Sequence, residues 1–131
     1  MNALLKIEEY LIDLGISYQE ISKGAWLIDD DAKGLPPMVV SLADPIVVIR
    51  AVIMPVPEKN TAPLFEELLR LNASDFLHGA YAIDGHDIVA IDTLEYEHMD
   101  KNEFGASLEA LGFALAQHFP ILSRLIAQEE D

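Results

Sequence analysis

One segment constrains the fold more than any other: Ile46-Val47-Val48-Ile49-Arg50-Ala51-Val52-Ile53-Met54. It is rich in β-branched residues and stands between Pro45 and Pro55, which marks it as a strand. Successive side chains of a strand point to opposite faces. Here both alternating sets are apolar: Ile46, Val48, Val52 and Met54 in one, Val47, Ile49, Ala51 and Ile53 in the other. Such a strand is ordinarily covered on both sides. Arg50 alone interrupts the pattern, as a residue at a sheet edge would with its stem packed and its head in water.

The elements around this strand follow from spacing and punctuation. Leu4, Ile7, Leu11 and Leu14 form a helical stripe, widened by Leu5 and Ile12 and stopped by Gly15. Two strands follow, Ile16 to Gln19 and Ala25 to Ile28, joined through Lys23-Gly24. Asp29 to Pro37 reads as an exposed loop. Its three aspartates lack the alternate spacing and terminal Glu of an EF-hand, so they read as a solvated turn. Met38 to Leu42 forms a further strand before the long one. Asn60 or Thr61 caps a second helix with Pro63 in its first turn, Leu64, Leu68 and Leu71 on its buried side and Asn72 closing it. Leu77 to Ile83 and Ile88 to Thr93 pair as a hairpin through Asp84-Gly85-His86-Asp87. Asp100 and Glu103 make a capping box for a third helix, with Met99 stapling onto Phe104. Its stripe runs Phe104, Leu108, Leu111, Leu115, Leu122, Leu125, and Pro120 is expected to kink or break it near Gln117. The order is α-β-β-β(-β)-α-β-β-α over one domain, residues 1–131, with no internal repeat.

Charge and composition remove whole classes of function. Twenty-three acidic against eight basic residues give a formal charge of −15. Such a surface repels nucleic acid and anionic lipid, and steers cationic partners toward itself. No cysteine is present, which excludes disulfides, thiolate metal sites and cysteine nucleophiles and fits a reducing cytoplasm. Glu8 and Glu9 arrive before any signal-length apolar run develops, and no stretch is long enough for a membrane span. The sequence lacks glycine-rich phosphate loops, nucleophile elbows and His-Glu-x-x-His motifs. His78 and His86 flank the hairpin beside Asp84 and Asp87, but such residues collect in turns for conformational reasons. His98 and His118 have no partner at ligand spacing. Trp26, mid-strand, reads as core. No catalytic, cofactor or metal residue is expected.

The run Leu68-Leu69-Arg70-Leu71-Asn72, then Gly79-Ala80-Tyr81-Ala82-Ile83-Asp84 and Ile88-Val89-Ala90-Ile91, then Asp100 and Phe104, resembles the YbjN-like proteins and, more distantly, the type III secretion chaperones. The resemblance covers about half of the chain closely and the N-terminal half by element order. It implies an α+β fold, a twisted antiparallel sheet with helices packed against it, in a homodimer that binds polypeptide. Secretion chaperones hold an unfolded stretch of an effector, whereas YbjN-like proteins are described as regulators without a settled activity. One departure stands out: up to six strands against about five in the chaperones, with Met38 to Leu42 either an extra strand or part of a bent one. The extra piece lies in the chaperones' client-binding half.

The expectation is a non-enzymatic, dimeric, cytoplasmic protein-binding module, chaperone-like or regulatory. Val47, Val48, Ile49, Arg50, Val52 and Ile53 form its candidate protein-binding strand. One face of that strand should pack under a helix, and the other should meet a second subunit or a client. The competing reading is a small-ligand sensor with a pocket between helix and sheet, for which Arg50 and Tyr81 are the polar candidates.

Overall fold

A computed structural model describes residues 3–76 and 78–130. Met1, Asn2, Leu77 and Asp131 lie outside the described residues, and with them the expected hairpin start at Leu77. Helix α1 spans Ala3–Asp13, and Ile7 and Leu11 of its stripe are wholly buried. It ends in a Schellman motif: Gly15, at φ 68°, donates to Ile12 O, and Ile16 N–H reaches back to Leu11 O. Leu11 and Ile16, both buried, supply the hydrophobic contact of that motif.

Four strands follow: β1 (Tyr18–Ser22), β2 (Ala25–Asp30), β3 (Leu35–Ala43) and β4 (Ile46–Pro55). Helix α2 (Thr61–Ser74), strands β5 (Ala80–Asp84) and β6 (Asp87–Glu95), and helix α3 (Lys101–Glu130) complete the chain. The six strands form one sheet in the order β1-β2-β3-β4-β6-β5, antiparallel at every pairing. Residues 38–42 therefore belong to a strand of their own. Strand β4 is central, between β3 and β6, so Arg50 does not stand at a sheet edge.

Register decides which side chains meet. Trp26, Val40 and Ile49 lie side by side on one face, as do Leu42, Val47 and Leu94. Buried residues of all three helices, including Ile7, Leu64, Leu68, Phe104 and Leu108, join that face in one apolar core. The opposite face carries Leu27, Val39, Arg50 and Ile91 in one row and Ser41, Val48 and Thr93 in the next. None of these outer residues belongs to the core.

Several local expectations are corrected. Leu35-Pro36-Pro37 is strand rather than loop. The prolines fall where the β2–β3 register shifts and before β3 meets β4, so their missing N–H groups disturb no regular ladder. Asp30 is buried, and its Oδ2 accepts from Ser17 N–H at 2.9 Å; that backbone donor is the main reason its carboxyl is held below the usual range. Asn60 occupies the α2 N-cap position in a left-handed conformation without a side-chain capping bond. Asn72 does not end α2, which runs on to Ser74. Its amide instead pairs with β5: Tyr81 N–H donates to Asn72 Oδ1 at 2.7 Å, and Asn72 Nδ2 donates to Tyr81 O at 3.2 Å. Pro120 does not break α3, because the turns beyond it are anchored by buried Leu122 and by Ile121 and Leu125 packed on the core. At the other end Asp100 Oδ1 accepts from Glu103 N–H at 2.7 Å, as its capping position requires.

Candidate functional site

The six residues singled out on β4 separate by parity. Val47 and Ile49 are wholly buried under the helices. Val48, Arg50 and Val52 point to the outer face, where Val52 is 57% exposed. Ile53 sits at a register shift between Val52 and Met54 and packs against the core edge. Arg50 forms an ion pair with Asp84, which lies on the far side of β6 in β5. Both partners are about half exposed, so this pair adds little to stability. Around it the outer face is apolar: Leu27, Val39, Val48, Ile91 and Val52.

A second apolar area borders the sheet. Phe65 and Leu69 of α2 stand beside Tyr81, Ala82 and Ile83 of β5 around a shallow depression. Leu69 and Ile83 are 68% and 55% exposed, high values for large apolar side chains.

The third feature is a groove of about 500 Å³ between α3 and the β3–β4 rim. Leu35 and Pro36, the β4 segment from Ala51 to Met54, and Ala116, Phe119, Leu122, Ser123 and Ile126 of α3 line it. Asp31 supplies a carboxylate to the lining. Helix α3 lies close to the sheet here because position 112 is glycine: a Cβ would stand 2.6 Å from Gly34 O. Neither Arg50 nor Tyr81 lines this groove, so the polar candidates for a small-ligand pocket are not convergent on it.

Tyr81 is engaged elsewhere. Its hydroxyl lies 2.7 Å from His118 Nδ1, and His118 Nε2 lies 2.8 Å from Asp75 Oδ2. In the neutral imidazole this means that Tyr81 donates to Nδ1 while Nε2–H donates to the carboxylate. Phe76 packs edge-on against both rings. Burial raises the Tyr81 pKa above its ordinary value, helped by the Asp75 charge. Hydrogen bonds from the Ser74 hydroxyl and from His118 lower that of Asp75. The relay ties the end of α2, strand β5 and helix α3 together with its imidazole 1% exposed. Sequence reading missed it, although a signal was present. The α3 stripe Leu111, Leu115, Leu122, Leu125 leaves a gap filled by His118, and a polar group on a core-facing stripe must find partners.

Among the described residues, the group able to bring three ligand atoms together is Glu95, Glu97 and His98, not the Asp84–Asp87 turn. All three are exposed. Trp26 is core, with its indole N–H directed at Glu8 Oε1 at 3.2 Å. Ser107 is buried and donates to the Asp92 carboxylate, with no histidine in that contact. No helix among the described residues is long and apolar enough to cross a membrane.

An antiparallel sheet of six strands with three helices on one face gives an α+β protein with a secretion-chaperone-like fold. The family model CesT_Tir_1 matches residues 1–128, and the chain belongs to this CesT/Tir chaperone-like family, which is typically non-enzymatic. No curated protein matches it. Among solved structures it is similar to YbjN from E. coli, at 19% identity and TM-score 0.65, over 89% of this chain and 91% of that one. It is also similar to the Yersinia pestis type III secretion chaperone SycH, solved with a stable fragment of YscM2 (16% identity, TM-score 0.61, 88% and 98% covered). A chain of the HopA1–SchA chaperone–effector complex matches at 9% identity and TM-score 0.60, over 86% and 89%. At these identities the likeness is one of fold.

Proposed function

We propose that this chain is a non-enzymatic, homodimeric module that binds polypeptide, in a chaperone-like or regulatory role. The observation that carries the reading is the open outer face of the sheet. Val48 of β4, with Leu27, Val39 and Ile91, forms an apolar surface outside the core, and Val52 continues it to the rim that faces α3. Surfaces of this kind in a small acidic protein mark places where another chain sits. The client surface is assigned to this face, and self-association to the patch around Leu69 and Ile83, which suits a two-fold contact of like with like. The relatives support polypeptide binding as such: SycH and the HopA1–SchA chain were solved with polypeptide partners.

Sizing by light scattering and mass spectrometry of co-purifying material test the two halves separately. The parent should behave as a dimer of 14.5 kDa chains and carry polypeptide. Leu69→Asp should give a folded monomer, and Val48→Asp a folded dimer depleted of bound polypeptide. A monomeric parent, or a dimer carrying no polypeptide under any condition, sinks the reading. The α3 groove favours the competing small-ligand reading, because about 500 Å³ of apolar space is within the range of ligand cavities. A stoichiometric small molecule in the same mass spectrum would establish that reading instead.

A further inference from the structure

We infer that the Arg50–Asp84 ion pair is a strap closing the outer face of the sheet over Val89, and that a basic side chain of the bound polypeptide opens it by taking Arg50's place beside Asp84. This rests on the polypeptide-binding reading of that face and adds how access to it is controlled.

Burial is the first observation. Val89 of β6 points outward, as Ile91 and Thr93 do, because side chains alternate along a strand. It is 1% exposed, yet it lies outside the core that the helices cover. Its neighbours in the same cross-strand row are open: Val52 of β4 is 57% exposed, and Ala82 of β5 is exposed as well. A valine closed between two open neighbours has something lying across it.

Register says what that is. Arg50 stands opposite Ile91 and Asp84 opposite Asp87, one row to either side of the row that holds Val89. They also belong to the strands that flank β6, Arg50 on β4 and Asp84 on β5. Their ion pair therefore runs diagonally across the outer face with Val89 beneath its middle. Its ends are 43% and 54% exposed, so the attraction is screened by water and salt and the strap opens at little cost. Once open, Val89 joins Val52 and Ile91 in one continuous apolar strip.

Charge indicates what opens it. Asp84 and Asp87 are directly opposed across the hairpin, a like-charge pair that Arg50 relieves. A Lys or Arg of the partner restores that relief as Arg50 leaves, and a chain of formal charge −15 draws such a partner in. An acidic segment would have to win Arg50 from Asp84 against the same field.

Two probes test the strap on the full chain. Nile red is a neutral dye that brightens on apolar surface, and reduced, alkylated lysozyme is a basic chain that stays unfolded. Arg50→Ala should keep the parent's circular dichroism, brighten the dye and bind the lysozyme chain about threefold tighter. Lys23→Ala removes the same charge from an exposed turn and should match the parent with both probes. Raising salt to about 1 M should brighten the dye on the parent but not on Arg50→Ala. If Arg50→Ala is no brighter than the parent, or the parent is indifferent to salt, there is no strap. Equal lysozyme binding by the two proteins overturns the control of access while polypeptide binding stands; no binding by either sinks both. If reduced, carboxymethylated α-lactalbumin, an acidic chain, binds the parent as tightly as the lysozyme chain does, the basic partner is the wrong one.

Discussion

The two faces of β4 are made of nearly the same residues and have different fates. Val47 and Ile49 are wholly buried, whereas Val48 one step away faces out of the sheet and Val52 is 57% exposed. Composition cannot explain the difference, since valine and isoleucine stand on both sides. What differs is the third dimension: all three helices lie over the face that Val47 and Ile49 share with Trp26 and Val40. Apolarity thus fixes that a surface is to be covered, and topology fixes by whom. The first face is covered within the chain, and the second is the one proposed to meet a polypeptide.

The sharpest way to break this comparison is to place the same charge on each side. Ile49→Asp puts a carboxylate in a fully buried apolar site, at several kcal/mol. Against a usual total of about 5–15 kcal/mol this should abolish cooperative unfolding at room temperature by circular dichroism. Tyr81→Phe probes the covered side more gently. It removes the donor to His118 Nδ1 and should lower stability by about 1 kcal/mol in urea unfolding, with the fold retained. Asp30→Asn tests a charge the covered side accepts. Because the folded carboxyl has a lowered pKa, its contribution is complete above the ordinary Asp range of about 4 and is lost as pH falls through the folded value. The variant should therefore melt below the parent at neutral pH, and the two curves should converge below about pH 4. Val48→Asp should have the smallest effect on folding, within about 1 kcal/mol of the parent, with its consequence confined to bound polypeptide. If Val48→Asp unfolds the protein while Ile49→Asp does not, the assignment of faces is reversed.

How much of this was open to sequence reading follows from the distances involved. The central strand, the hairpin, the α3 capping box and the Gly15 stop are local patterns, and each corresponds to an element in the fold. The choice between the Val47 and Val48 sets was not readable, because it depends on which side α1, α2 and α3 approach. The same holds for the partners of His118, which lie 37 and 43 residues away. By residue type Asn72 reads as a helix end, since asparagine often stands there. Its true partner, Tyr81, lies in another element, and only the packing of α2 beside β5 brings them together. An isolated charge in an apolar strand suggests an edge position for Arg50. The sheet instead supplies Asp84 from two strands away.

The pairing of Asn72 with Tyr81 bears on how this protein ages in solution. Strand β5 is the last in its sheet, and an unguarded last strand is a template on which like chains add one after another into fibrils. A side-chain amide sets an N–H donor beside a carbonyl acceptor, as a peptide unit does, and here the two fill both backbone positions of Tyr81 that a newcomer would use. Sheet growth is thereby opposed at the second residue of the strand. One asparagine thus stands against open-ended polymerisation at this edge.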